Sequence, residues 1–233
     1  MTVGYYTDNN VSHSVMKAFS RSGVTVRHID KFDKTQPAIF YGILRGNGAA
    51  MRHHQYQGID CWYVDNGYFD AQYMDLMKHK NMTGKYRVVK NAMLEKFPLL
   101  PSHQLPLRKV NILVLPPSPY SAFMHDTTPD DWKAEWVKKL QVLGHNVAQR
   151  TKDDQQPLAR ALKAVDAVLA FNSMGIMAAV DHGKAVYTTH GIFDNADMID
   201  KCLPYYDIEE LRKFYEPKQF TLEEIAEGKA CLS

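Results

Sequence analysis

The chain has 233 residues, of which 45% are hydrophobic and 23% charged, and its formal net charge is +2. That length allows one or two domains, and the balance excludes a disordered, collagen-like or coiled-coil chain. No apolar run approaches the roughly 18 residues that cross a bilayer, and residues 1–8 lack the basic start and apolar stretch of a signal peptide. A cytoplasmic protein with no membrane partner is expected. Cys61, Cys202 and Cys231 form no Cys-x-x-Cys and no zinc spacing. Sparse and odd in number, they suit reduced thiols in a reducing compartment.

Residues 2–6 read as a strand and 7–10 as a loop. Residues 11–22 carry Val11, Val15, Ala18 and Phe19 at helical spacing, with Ser12 or Asn10 as the cap and Gly23 as the stop. Residues 24–29 alternate as a second strand. After the Gln36-Pro37 break come a strand at 38–41, a glycine-rich turn at 42–48, a helix at 49–57 ended by Gly58, and a strand at 59–64. Such alternation predicts a parallel sheet flanked by helices. Pro98, Pro101 and Pro106 mark residues 97–109 as a connector without regular structure, because proline lacks a backbone donor and fixes φ.

The second part restarts the alternation. Residues 110–115 are unbroken and apolar, as a strand buried on both faces requires, and lead into Pro116-Pro117-Ser118. Thr128 or Asp130 caps a helix carrying Trp132, Trp136, Val137 and Leu140, and Gly144 stops it. A strand at 146–149 runs into Arg150-Thr151-Lys152. Residues 157–164 are helical and 167–171 form a strand. Asn172-Ser173-Met174-Gly175 then turns into a helix at 176–181, followed by a strand at 185–188. Short helices follow near 208–214 and 222–227, the latter behind a capping box in Thr221-Leu222-Glu223-Glu224. The expected fold is α/β. It has two Rossmann-like halves, residues 1–100 and residues 108–233 with the helical tail, with parallel sheets flanked by helices and a cleft between.

Ser118, Arg150, Lys152 and the Asn172-Ser173 pair each follow a predicted strand of the second half, so a parallel sheet puts them on one edge. Gly175 opens a helix there, whose free N–H groups favour an anion. Hydroxyls, cations and a helix start on one edge make a phosphate site, although each residue alone also suits a cap or a surface charge. In the first half, Gly42, Gly46 and Gly48 lack the full dinucleotide fingerprint but permit close backbone approach to a ligand. Asp65, at the end of a predicted strand, suits a general base on an acceptor hydroxyl or a turn residue bonding its own backbone.

Asp-x-Asp, P-loop, G-x-S-x-G and H-E-x-x-H patterns are absent, and His53 and His54, adjacent on a helix, face different directions. No metal is expected. Trp132 and Trp136, four apart, favour core packing over base stacking. Residues 78–109 hold eight cations (Lys78, Lys80, Lys85, Arg87, Lys90, Lys96, Arg108, Lys109) against Glu95, a local charge of 8 − 1 = +7. Such a stretch suits a polyanion or a solvated connector.

Residues 38–42 followed by Tyr63-Val64-Asp65-Asn66-Gly67-Tyr68-Phe69 resemble the capsule-polysaccharide glycosyltransferases of the Kdo-transferase group. There a tryptophan-glycine strand precedes a glutamate-aspartate-glycine-phenylalanine motif. Residues 113–118, Arg150-Thr151-Lys152 and the run from Phe171-Asn172-Ser173 to Val186 are similar to the donor half of GT-B glycosyltransferases. With its tail at 219–224, the chain also looks like phage-encoded relatives of that group. The resemblance implies a GT-B-like fold and metal-independent transfer from a nucleotide-sugar, a co-substrate rather than a cofactor. It implies Ser118, Arg150, Lys152, Asn172, Ser173 and Gly175 on the donor. Tyr41, Gly42, Arg45 and Asn66 would hold the acceptor, with Asp65 as the base. A modified DNA base, tracked by the basic stretch, and a surface or capsule glycan are the candidate acceptors. The sequence keeps one acid of the family's acidic pair, has Lys184 in the expected proline region, and is short for a two-domain transferase. A non-catalytic nucleotide or sugar-phosphate binder of the same fold is therefore the alternative, and an interaction protein without a ligand is a third.

Overall fold

In the computed structural model of the protein, residues 2–4, 10–27, 34–43, 46–67, 84–93, 95–151 and 153–230 are described. The chain divides into two compact units, Met1–Glu95 with Phe214–Ser233, and Lys96–Lys213. No described helix is long and apolar enough to cross a membrane.

The first unit is built on strands β1 (Thr2–Gly4), β2 (Thr25–Arg27), β3 (Ala38–Tyr41), β4 (Cys61–Asn66), β5 (Tyr86–Lys90) and β12 (Gln219–Phe220), in the order β12-β5-β4-β3-β1-β2. β1 to β4 are parallel, whereas β5 and β12 join antiparallel. The sheet is thus mixed, where an all-parallel one was expected. Side chains alternate between the faces of a strand. Ile39, Trp62, Val64 and Tyr86 therefore share a core with Val15 and Phe19 of helix α1 (Asn10–Arg21). Phe40, on the other face, meets the His54 ring of helix α2 (Asn47–Gln57) edge-on at 5.2 Å. Gly58 ends α2 with φ +66°, a conformation that favours glycine.

The tail does not stay with the second half as expected. β12 extends the sheet beyond β5, and Ile225 of helix α8 (Leu222–Ala226) joins the core beside Val15 and Phe19. Two residues of strand and one helical turn carry no periodicity that could have shown this. The capping box is present, with Glu224 N–H donating to Thr221 Oγ1 at 3.2 Å and Thr221 N–H to Glu224 Oε2 at 2.8 Å. That backbone donor holds the Glu224 carboxyl below its ordinary range.

The second unit has a four-stranded parallel sheet of β7 (Asn111–Leu115), β8 (Asn146–Gln149), β9 (Ala167–Ala170) and β10 (Ala185–Thr188), in the order β10-β9-β7-β8. Its helices are α3 (Pro119–Phe123), α4 (Pro129–Val142), α5 (Leu158–Lys163), α6 (Gly175–Asp181) and α7 (Ile208–Tyr215), within which the unit boundary falls. Ile112 to Leu115 are all buried, as the unbroken apolar run predicted. Thr128 caps α4 by accepting the Asp131 N–H at 3.1 Å. Trp132 lies in the core with Leu140, Leu169 and Tyr187, and Trp136 packs against it, so the pair serves packing.

The proline-rich stretch, expected to be irregular, holds a strand. β6 (His103–Pro106) pairs antiparallel with β11 (Cys202–Tyr205). Proline is tolerated in such a two-stranded ribbon because each strand has an open edge where no donor is required.

His145 is buried. Its Nδ1 accepts the Val110 N–H at 3.4 Å, and its Nε2 has no partner among the described residues. Burial pushes its pKa down. An unfolded imidazole titrates near 6.5, so on acidification the unfolded chain takes up this proton first. The stability contributed by neutral His145 is complete above that pH and is lost as pH falls toward the lower folded value. In urea titrations, His145→Asn should unfold with a smaller decline between about pH 7.5 and pH 5 than the wild type. Equal declines would contradict this.

Candidate functional site at the carboxyl edge of the parallel sheet

Residues leaving β7 and β9 meet on one edge of the second unit. Ser118 caps α3, its Oγ accepting the Ser121 N–H at 3.2 Å, and Pro119 occupies the first helical position, where no donor is missed. Ser121 is buried, and its Oγ accepts a hydrogen bond from the Asn172 amide. Ser173 Oγ accepts the Gly175 N–H at 3.1 Å. A Cβ on Gly175 would lie 3.1 Å from Leu115 Cδ1 and 3.2 Å from Leu158 Cδ2, so the turn after β9 packs closely over the end of β7. Ser118, Asn172, Ser173 and Gly175 are therefore gathered on this edge. The helix start is weaker than expected, since α6 has 7 residues and Met174 before it gives no side-chain cap.

Among the described residues, no hydrogen bond of Arg150 reaches this cluster. Its backbone N–H donates to Val114 O at 3.1 Å, but the guanidinium turns back on its own loop. Nη2 donates to Gln156 O at 2.9 Å and Nη1 to Thr151 O at 3.3 Å. Its buried Nε has no partner among the described residues. The expectation of an Arg150 aimed at the shared edge is thus corrected: the loop carbonyls, unpaired by any ladder, capture it. Lys152 lies outside the described residues.

An aromatic group beside Asn172 was not foreseen. His190 stacks on Phe171 with centroids 4.4 Å apart, and His125 lies 4.4 Å from His190 and 5.2 Å from Phe171. Trp132 Nε1 donates to Thr189 Oγ1 at 3.1 Å, and the same oxygen lies 3.1 Å from His190 Nδ1. Burial lowers the His190 pKa, Asp194 opposes this, and Lys96 adds to it. Lys96 and Asp194 form an ion pair with one another. The signal was available: Thr189-His190 follows β10 just as Ser118 follows β7.

In the first unit, β4 runs through Asp65 and Asn66 rather than ending before them, because β5 pairs along it with Asp65 opposite Arg87. Asp65 Oδ2 accepts from Tyr63 Oη at 2.7 Å and from Arg87 Nη2 at 2.9 Å, and Oδ1 accepts the Asn66 N–H at 2.8 Å. The buried Arg87 also donates to Met93 O at 3.1 Å. Burial, then the Asp65 charge, pushes the Tyr63 hydroxyl well up, which keeps it a donor. Asp65 thus sits inside an ion-paired network, closer to its structural alternative than to an unencumbered base. Tyr41 Oη donates to Asn66 Oδ1 at 3.4 Å, and Gly42 N–H to Val64 O at 2.9 Å, so Tyr41, Gly42, Asp65 and Asn66 share this edge. Arg45 lies outside the described residues.

His54 is buried, with its ring nitrogens 2.8 Å from Ala50 O and 3.0 Å from Gln36 O. Among the described residues no group of three or more His, Cys, Asp or Glu is placed to hold a metal ion. Four cations of the basic stretch are paired: Lys85 with Glu216, Arg87 with Asp65, Lys90 with Asp60 and Lys96 with Asp194. Lys78 and Lys80 lie outside the described residues, and Arg108 and Lys109 are exposed.

These observations define an α/β protein whose parallel sheet collects hydroxyl, amide and imidazole groups at its carboxyl edge. No protein-family model matches the chain, and no curated protein matches it. Among solved structures, Thermosulfurimonas dismutans KpsC, a beta Kdo 2,4 transferase, aligns over 97% of this chain and 89% of its own at a TM-score of 0.42 and 10% identity. A likeness at that level decides neither fold nor function.

Proposed function

We propose that the protein is a metal-independent glycosyltransferase of GT-B type, moving a sugar from a nucleotide-sugar to a hydroxyl acceptor. The second unit holds the donor through Ser118, Asn172, Ser173 and Gly175, with Lys152 as a cation of the same site. The first unit holds the acceptor through Tyr41, Gly42, Arg45 and Asn66, and Asp65 takes the hydroxyl proton. The acceptor is a surface or capsule glycan or, for a phage-encoded enzyme, a modified base in DNA.

The observation that carries this reading is the Ser118, Ser121 and Asn172 cluster at the exits of the adjacent parallel strands β7 and β9. Ligands of such sheets bind outside the carboxyl ends of the strands. Ser118 and Ser173 each use their oxygen as an acceptor, which leaves their O–H groups to donate. Donors fixed in place before the reaction stabilise the charge that develops on a departing phosphate.

A second reading, a nucleotide or sugar-phosphate binder without transfer, is favoured by one feature: both Asp65 oxygens are occupied by donors. Calorimetric titration with uridine and cytidine nucleotide-sugars, alongside an assay for sugar release or transfer, separates the two. At least one should bind, and Ser118→Ala and Asn172→Ala should each weaken it about tenfold, the worth of one hydrogen bond to a charged group. Turnover abolished by Asp65→Asn supports transfer, whereas tight binding without turnover supports the second reading. A protein that binds none of them contradicts both.

A further inference from the structure

Two imidazole rings, His125 and His190, stand beside the hydroxyl and amide groups of this edge. His125 follows α3, the helix that supplies Ser121, and His190 follows β10 and stacks on Phe171, the neighbour of Asn172. Both histidines are exposed residues, whereas Phe171 beneath them is fully buried. Two segments 65 residues apart thus present their rings at the edge where the Asn172 amide meets Ser121.

The environment sets the state of His190. The Trp132 indole N–H can only donate, so Thr189 Oγ1 accepts from it, and the same hydroxyl lies 3.1 Å from His190 Nδ1, which it can pair with as donor or as acceptor. The charged groups acting on His190 are Asp194 and Lys96, ion-paired with each other, and the second imidazole. Two imidazolium rings 4.4 Å apart repel, which biases the pair toward carrying at most one charge. A dianionic oxyanion alongside both rings reverses that bias, because it offsets the repulsion and accepts a charge-assisted hydrogen bond from each ring. When Nδ1 is protonated, Thr189 Oγ1 can accept from it as well as from Trp132.

We propose that His125 and His190, beside Ser121 and Asn172, form a proton-linked oxyanion site, at which a phosphate-bearing ligand binds with uptake of a proton by the imidazole pair. This rests on the reading that a nucleotide-sugar phosphate occupies the same edge. Linkage is reciprocal: a ligand that raises the proton affinity of the pair binds more tightly where the pair is protonated.

The test is a histidine titration by NMR in sodium sulfate and in sodium chloride at equal ionic strength, with sulfate standing in for the phosphate because it stays dianionic throughout. Sulfate should raise the His190 midpoint by about half a unit or more. It should leave the exposed His53 of α2 unmoved, and His125→Gln should remove at least half of the shift at His190. Equal shifts at His190 and His53, or none at either, overturn the proposal. Nucleotide-sugar binding supplies the second arm, since a phosphodiester holds constant charge from about pH 5.5 to pH 8. Wild-type affinity should fall severalfold across that range, and the fall should be lost in His125→Gln and in His190→Gln. Affinity independent of pH in all three proteins overturns this inference and leaves the functional reading standing. Failure of every nucleotide-sugar to bind at any pH overturns the functional reading itself.

Discussion

Asp65→Ala should destabilise the first unit by about 3 kcal/mol, because it removes the carboxylate that pairs with the buried Arg87 guanidinium. The low end of the range for a broken buried pair applies, since 33% of the Asp65 side chain is exposed against 6% of Arg87. The Tyr63 hydroxyl loses its acceptor in the same step. Adding Arg87→Met should recover most of the loss, because the buried charge that Asp65 paired is then gone and an apolar chain of similar length fills the space. Chemical denaturation of the wild type, both single variants and the double variant measures this. Additive losses in the double variant would contradict the pairing. The cycle also bears on catalysis. If Asp65 serves as a base, turnover falls in Asp65→Asn beyond anything its stability explains. If Asp65 serves only Arg87, turnover follows stability.

Ile225→Asp should unfold the first unit while the second stays folded. Ile225 is 1% exposed and packs in the core with Val15, Phe19 and Trp62. A carboxylate placed there enters an apolar core, and burying a charge costs several kcal/mol, a large part of a typical domain's stability. The expected result is a protein whose amide spectrum keeps the dispersed signals of residues 96–213 and loses those of the first unit. Retention of both sets would contradict the placement of the tail.

The tail also marks where the sequence stopped being legible. β7 was readable because four consecutive buried apolar residues leave few alternatives, and α4 because Thr128 and Gly144 punctuate it. β12 was not, since two residues have no period, and β6 was hidden by Pro106 at the end of a pairing strand. At the candidate site, Ser118, Asn172 and Ser173 were legible from their positions just after apolar strands. Thr189-His190 obeys the same rule after β10 and was passed over. The ion pair of Asp65 was beyond reach, since Arg87 stands 22 residues away on a strand whose antiparallel pairing the βαβ pattern does not announce. Likewise nothing in Arg150-Thr151-Lys152 tells that the loop carbonyls after β8 hold the guanidinium.

Crystals of the protein soaked with the nucleotide-sugar that binds most tightly give the most direct test. The account predicts phosphate oxygens within hydrogen-bonding distance of Ser118, Asn172 or Ser173, with the His190 ring alongside. Density for the nucleotide elsewhere on the protein, with these side chains unchanged, would contradict it.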